Sequence, residues 1–208
     1  MKGLILKDLL NLRKYGKTVF LICAFYLILM LMMDSATVFG GMIVLMFTIT
    51  SITSFVYDSQ CGWDVYAMSL PVSRKDIVLS KYVLSLFLAF LGGILSLLVF
   101  WLHGIFARTG NFLETLAVSY ALFAVAVVFI CILLPLVYRF GVERSRILII
   151  AVVAIPTAVI MVLSQSGTVI EPDEKLISQV LGFSPLVLVV CVILSYLASG
   201  AIFNNKEM

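Results

Sequence analysis

Charged side chains are scarce in this sequence. Asp, Glu, Lys and Arg make up 12% of its 208 residues, whereas hydrophobic residues make up 63%. Soluble domains are about half apolar and about one quarter charged, so the composition excludes an ordinary soluble protein and indicates an integral membrane protein. The chain is also too short to hold both a membrane unit and a soluble enzyme domain of ordinary size.

Motifs for catalysis and nucleotide binding are missing as well. The chain contains no G-x-x-x-x-G-K-[ST] segment and neither G-x-S-x-G nor H-E-x-x-H. The single histidine, His103, belongs to no recognisable catalytic pattern and is interpreted as an interfacial side chain near the outer end of a span. We therefore expect no enzymatic activity and no cofactor in this chain.

The four cysteines form no CxxC pair and no Cys/His cluster, which argues against a disulfide framework and against a metal site. We interpret them as small apolar residues. They are Cys23, Cys61, Cys131 and Cys191.

What the sequence does contain is a series of long apolar runs. About 20 apolar residues are needed for a helix to cross about 30 Å of hydrocarbon, and these runs lack the alternation that is typical of barrel strands. We expect an all-α polytopic membrane protein with six transmembrane helices, which forms a single domain over residues 1–208. The predicted spans are residues 18–33, 36–57, 77–106, 113–138, 147–163 and 185–203. Pro135 and Pro156 are expected to kink the fourth and fifth of them.

Lysine and arginine are distributed unequally between the two sides of these spans. With the N-terminus inside, the cytoplasmic segments hold 12 of the 14 basic residues, and the outer segments hold only Arg108 and Lys175. Because basic residues favour the cytoplasmic side, we expect a multi-pass protein of the cell membrane with both termini in the cytoplasm. The central portions of the spans carry no charge, which argues against a carrier coupled to protons or sodium.

The first 17 residues are basic and amphipathic. Their pattern predicts an interfacial helix on the inner leaflet, held by apolar contact and by anionic lipid. The alternative is a basic tail that only sets the topology.

A polar segment, GWDVYAMSLPVSRKDIVLSKY, separates the second and third spans on the predicted cytoplasmic side. It contains four apolar or aromatic residues at helical spacing, which predicts one face of a short helix that ends at the following proline. These residues are Trp63, Tyr66, Ala67 and Leu70. In the next four residues, SRKD, we expect Ser73 to cap the third long helix and Asp76 to occupy its third position. That helix should therefore begin before the bilayer.

Two of the spans carry small or hydroxyl side chains at regular spacing. On the third span, Ser85, Ala89 and Gly93 share one face, and such a face lets helices approach closely, by default within the chain. The TITSITS segment of the second span has two interpretations, a polar strip that lines a translocation path or hydroxyls bonded to carbonyls of their own helix. The candidate path residues are Thr48, Thr50, Ser51 and Ser54.

These features together resemble the ABC-2 family of ABC-exporter permeases. The resemblance rests on six spans with cytoplasmic termini, on the N-terminal KGLILKDLLNLRK and on the polar segment between spans two and three, so it covers essentially the whole chain. The chain is also similar to the small permeases of phenol-soluble modulin exporters, which move amphipathic peptide toxins. The resemblance implies a membrane subunit that exports amphipathic or hydrophobic peptides, with ATP and Mg²⁺ bound by a separate ATPase.

The resemblance also implies where that ATPase would dock. In the family, the loop between spans two and three, here residues 58–72, holds a coupling helix that carries the movement of the ATPase into the membrane, and this role maps onto Asp58–Leu70. The implied interface residues are Asp58, Gly62, Trp63, Asp64, Tyr66, Ala67 and Leu70. The implied partners are two ATPase subunits, a second permease protomer of the same or another chain, membrane lipid and an amphipathic peptide, without nucleic acid.

Two other functions fit the same features. One is a membrane immunity or scaffold protein that sequesters a peptide without transporting it. The other is ABC export of a lipid or a drug, since an uncharged interior suits any hydrophobic cargo.

Overall fold

The computed structural model of the protein describes residues 2–33, 36–69, 73–107, 112–165 and 174–204, and these residues form helices joined by turns. The fold is all-α, as predicted. Five of the helices are long and one, α3, is short. Their bounds are α1 Lys2–Met33, α2 Ala36–Gln60, α3 Trp63–Met68, α4 Arg74–Ala107, α5 Phe112–Gln165 and α6 Glu174–Asn204.

Four of these helices are long and apolar enough to cross a membrane, judged by length and composition over the part of the chain that the structure describes. They are Thr37–Gln60, Arg74–Ile105, Thr115–Val142 and Gly182–Asn204. They correspond to the second, third, fourth and sixth predicted spans. A protein with several such helices is a membrane protein, and the count of six spans stays a prediction.

Helix α4 lies at the centre of the bundle and packs against α1, α2, α5 and α6. Its closest contact is with α2, which runs in the opposite direction. A Cβ atom built on Gly92 would lie only 3.2 Å from the Cα atom of Val44 and 3.1 Å from the Cβ atom of Phe47. Ser85 and Ala89, on the same face of α4, are fully buried. The small residues of this span therefore pack inside the chain.

Replacing Gly92 by alanine should destabilise the bundle, because the new methyl group would push against the backbone of α2. Overpacking of this kind typically costs about 1–3 kcal/mol. The adjacent Gly93 is a matched control, since its Cβ atom would lie 3.5 Å from the Phe123 side chain, an ordinary contact distance. Thermal unfolding in detergent should show a clear loss for Gly92→Ala and little change for Gly93→Ala. Equal losses would contradict this account of the α2–α4 contact.

Helix α1 joins two segments that the sequence analysis separated. The predicted interfacial helix, residues 1–17, and the first span, residues 18–33, form one uninterrupted helix from Lys2 to Met33. Gly16 stands at the junction, but one glycine inside a helix costs only about 1 kcal/mol and does not end it. The first half of α1 also packs on the protein itself, because Leu4, Asp8 and Leu12 are buried at four-residue spacing.

Helix α5 likewise joins the fourth and fifth predicted spans, residues 113–138 and 147–163, without a separate loop. Its continuity is broken at Gly141, where φ is 76° and ψ is 172°, a conformation that is essentially restricted to glycine. The Ser145 hydroxyl lies within hydrogen-bond distance of the Gly141 carbonyl and 3.2 Å from the Leu136 carbonyl, so this side chain bonds to both parts of α5. The non-helical backbone in α5 lies at Gly141. The kinks that we expected at Pro135 and Pro156 stay predictions.

Candidate functional site

Several helix ends meet at one end of the bundle. There the start of α1 packs on the end of α2 and on the start of α4, and α3 connects α2 to α4. The short helix covers fewer residues than predicted, because it extends over Trp63–Met68 and not over Asp58–Leu70. Asp58, which we had assigned to it, lies in the last turn of α2, and Cys61 and Gly62 form the turn before Trp63. Gly62 has φ 61° and ψ 29°, so the left-handed geometry that glycine tolerates makes this turn sharp.

Four charged side chains from α1, α2 and α4 form a closed ring at this end. Lys81 Nζ lies 3.0 Å from Asp8 Oδ1 and 2.6 Å from Asp58 Oδ2. Lys7 Nζ lies 3.1 Å from Asp8 Oδ1 and 2.6 Å from Asp58 Oδ1. Each amine thus contacts both carboxylates, and the formal charges cancel. We call Lys7, Asp8, Asp58 and Lys81 the charge ring.

The charge ring is largely removed from solvent. The exposed fraction of the side chain is 1% for Asp8, 5% for Lys81 and 8% for Asp58, whereas Lys7 retains 23%. Burial of an ion costs several kcal/mol unless close partners and hydrogen bonds compensate. Lys81 has such partners, because it donates hydrogen bonds to Asp8 and, at 2.6 Å, to the Ser54 hydroxyl. Its approach to Asp58 is an ion contact whose angle is not that of a hydrogen bond.

Helix α3 has an inner and an outer side. Trp63 packs against the main core, and Lys7 Nζ lies 3.9 Å from the centroid of its ring, a cation–π contact. Ala67 is also buried, at 1% exposure. Tyr66 lies beside Trp63, with the ring centroids 5.5 Å apart, but 57% of Tyr66 is exposed. Along this face the exposure differs, because Trp63 and Ala67 pack on the bundle and Tyr66 is exposed.

Of the remaining residues that we assigned to this helix, Asp64 lies within α3. Leu70 lies outside the residues that the structure describes.

The start of α4 is fixed by two sets of contacts. The Asp76 backbone N–H donates to the Ser73 hydroxyl at 3.1 Å, which confirms the predicted cap. Arg74 donates to the Asn204 carbonyl at 2.8 Å and lies 3.4 Å from the Phe203 carbonyl, at the end of α6. The last carbonyls of a helix lack helical partners and carry partial negative charge, so a guanidinium is well placed there.

The hydroxyl side chains of α2 bond within the protein. Thr48 donates to the Val44 carbonyl and Thr50 to the Met46 carbonyl, both at 2.8 Å. Ser51 donates to the Thr48 carbonyl at 2.7 Å, and Ser54 accepts from Lys81. Thr48, Ser51 and Ser54 are buried. This arrangement fits the structural interpretation of the segment, and a substrate path along it stays a prediction.

A small cavity of about 70 Å³ lies beside the charge ring. Asp58 and Lys81 line it from α2 and α4, and Tyr138 and Gly141 line it from α5. The break in α5 therefore faces the same region as the ring, although it is 60 residues or more from either charged residue in the sequence.

The charge ring is the feature that sequence reasoning missed. Its signal was present, because Asp8 interrupts the apolar face of α1 between Leu4 and Leu12, and Lys81 interrupts the apolar run of α4. We had counted Lys7 and Lys81 only as markers of the predicted cytoplasmic side. A charge on an otherwise buried face predicts a buried partner.

An all-helical bundle with several membrane-length helices and a polar, ion-paired end defines a polytopic helical membrane protein. The sequence pattern of the ABC-2 family transporter proteins matches residues 3–204. The chain therefore belongs to the ABC-2 transporter family. No curated protein and no solved structure matches it.

Proposed function

We propose that this chain is the permease subunit of an ATP-driven exporter and that a separate ATPase subunit powers it. The family match over residues 3–204 carries the proposal, since ABC-2 permeases generally work with an ABC ATPase subunit. Under this proposal both termini and α3 face the cytoplasm, which agrees with the basic residues that flank the membrane helices at that end.

Helix α3 is the proposed docking element. Its outer side presents Tyr66, an exposed aromatic residue of the type that often anchors protein interfaces. Its inner side is held by Trp63 and Ala67, so a push on Tyr66 would pass to the rest of the bundle. The short turn at Gly62 leaves little slack between α2 and α3.

The proposed cargo is an amphipathic or hydrophobic peptide. It rests on the resemblance to exporters of amphipathic peptide toxins that the sequence suggests, and on the lack of charge in the central portions of the membrane helices. The proposed assembly has two permease protomers with six spans each and two ATPase subunits that bind ATP and Mg²⁺.

A transport assay tests the proposal. The tagged permease would be purified from its native membranes with the proteins that bind it and reconstituted into lipid vesicles. A fluorescent synthetic amphipathic helical peptide of about 20 residues serves as the probe. We expect the peptide to accumulate inside the vesicles when ATP and Mg²⁺ are added, and not with a non-hydrolysable ATP analogue or with the permease alone. Peptide binding that is independent of ATP would instead indicate sequestration and would contradict export.

A further inference from the structure

We infer that the charge ring locks the first half of α1 to α3 and to the start of α4, so that these segments move as one body when the ATPase moves. This inference rests on the proposed function, because it concerns how movement of the ATPase would enter the membrane helices. It assigns Lys7, Asp8, Asp58 and Lys81 a positioning role.

The ring joins segments that are far apart in the chain. Lys7 and Asp8 come from α1, Asp58 from the last turn of α2, and Lys81 from the start of α4. The contacts to Asp58 and the contact between Lys81 and Asp8 all cross from one helix to another, at 2.6–3.0 Å. One group of ions therefore closes the junction of three helices.

The junction should resist separation. If α1 moved away, Asp8 would lose Lys81, and Asp58 would lose Lys7. Both carboxylates are almost completely buried, and a buried charge that loses its partner is strongly unfavourable. Four contacts join the charges of α1, α2 and α4 to one another. Removal of any one charge therefore leaves two buried or partly buried charges with one partner fewer.

Lys7 extends the ring to α3. Its amine lies between the two carboxylates and the face of the Trp63 ring, 3.9 Å from the ring centroid. Trp63 is the first residue of α3 and is three residues from the exposed Tyr66. A displacement of α3 thus acts directly on α1 through Lys7, in addition to its path through the chain into α4.

Apolar contacts continue the junction along the helices. Leu12, one turn after Asp8, packs with Leu84 and Leu88, which follow Lys81 on α4. Leu4, one turn before Asp8, belongs to the main core. The first half of α1 is therefore docked on its neighbours on both sides of the ring, as expected for a part that moves with them.

The first arm of the test uses charge. Asp8→Asn leaves a buried positive excess, while the outer side of α3 is unchanged. We expect this variant to retain the ATPase but to export at least 10-fold less peptide per ATP hydrolysed. Asp8→Asn combined with Lys81→Met removes one charge of each sign, leaves Lys7 paired with Asp58 across the junction, and should recover at least half of the loss. Lys14→Gln, an exposed change on the same helix, is the matched control and should behave as the unaltered protein.

The second arm uses a cross-link and does not depend on the ring variants being folded. In a background without the four native cysteines, cysteines at positions 12 and 88 would be bridged by a short reagent that forms a disulfide bond with each thiol. If α1 and α4 move together, bridging should change export per ATP by less than twofold. A 10-fold loss that reverses on reduction would overturn the inference, as would a normal export ratio in Asp8→Asn. A complex without any ATP-dependent uptake before alteration would defeat the proposed function, and the inference with it.

Discussion

Replacing Lys81 by methionine is expected to lower the stability of the protein by about 3–5 kcal/mol, because it leaves one amine to neutralise two buried carboxylates. Asp8 would keep only the 3.1 Å contact with Lys7, which also pairs with Asp58. Native proteins have a total stability of about 5–15 kcal/mol, so this single change removes a large part of it. Thermal unfolding of the detergent-solubilised protein should show a midpoint lowered by about 10 °C or more, together with a low yield from membranes.

A paired change separates lost charge balance from lost packing. Lys81→Met combined with Asp8→Asn removes one charge of each sign and leaves Lys7 paired with Asp58 at 2.6 Å. Replacing a buried ion pair as a whole is often nearly neutral, so the double variant should recover at least half of the stability lost by Lys81→Met alone. If the two single losses simply add, Asp8 and Lys81 are not energetically coupled, and this account of the ring is wrong.

The parts of the fold that depend on local pattern were predictable. Hydropathy alone marked the runs that became α2, α4, α6 and the first part of α5, because a helix in lipid must satisfy its own backbone. The cap at Ser73 was equally local, since a serine three residues before an acid at a helix start has few alternatives.

The position of a helix break and the packing of the short helix α3 depend on more than the local sequence pattern. Gly16 and Gly141 look alike in the sequence, yet only Gly141 adopts a positive φ of 76°. The surroundings also differ, because the Ser145 hydroxyl bonds to the Gly141 and Leu136 carbonyls beside the break. Spacing alone placed Trp63 and Tyr66 side by side, and their rings are in contact. It did not show that Trp63 packs on the core while Tyr66 stays exposed.

The charge ring shows why a candidate site can escape a reading of the sequence. The two lysines have an ordinary local explanation, since Lys7 and Lys81 fit the excess of basic residues at the predicted cytoplasmic side. Their partners Asp8 and Asp58 are 50 residues apart in the chain, and only the packing of α1 on α2 and α4 brings them together. The same packing explains how four charges can lie beside apolar helices, because they cancel one another within about 3 Å.

Replacing Tyr66 by alanine is expected to weaken binding of the ATPase by about 30- to 700-fold. Aromatic residues at the centre of an interface commonly contribute about 2–4 kcal/mol, and each 1.4 kcal/mol corresponds to about tenfold in affinity. Tyr66 is 57% exposed on the outer side of α3, so its removal should change the stability of the permease by no more than about 0.5 kcal/mol. Titration of the purified ATPase onto the permease in lipid nanodiscs measures the affinity, and thermal unfolding measures the stability.

Two further variants decide whether the ring of Tyr66 makes the contact. Tyr66→Phe keeps the ring and should bind the ATPase within a few-fold of the unaltered protein. Trp63→Ala removes a ring that packs inside the bundle and contacts Lys7, so it should lower stability and ATPase binding together. Loss of binding without loss of stability is thus expected only for Tyr66→Ala. If that variant binds the ATPase with unaltered affinity, the ATPase docks elsewhere, and α3 is a structural connection between α2 and α4 rather than the coupling surface.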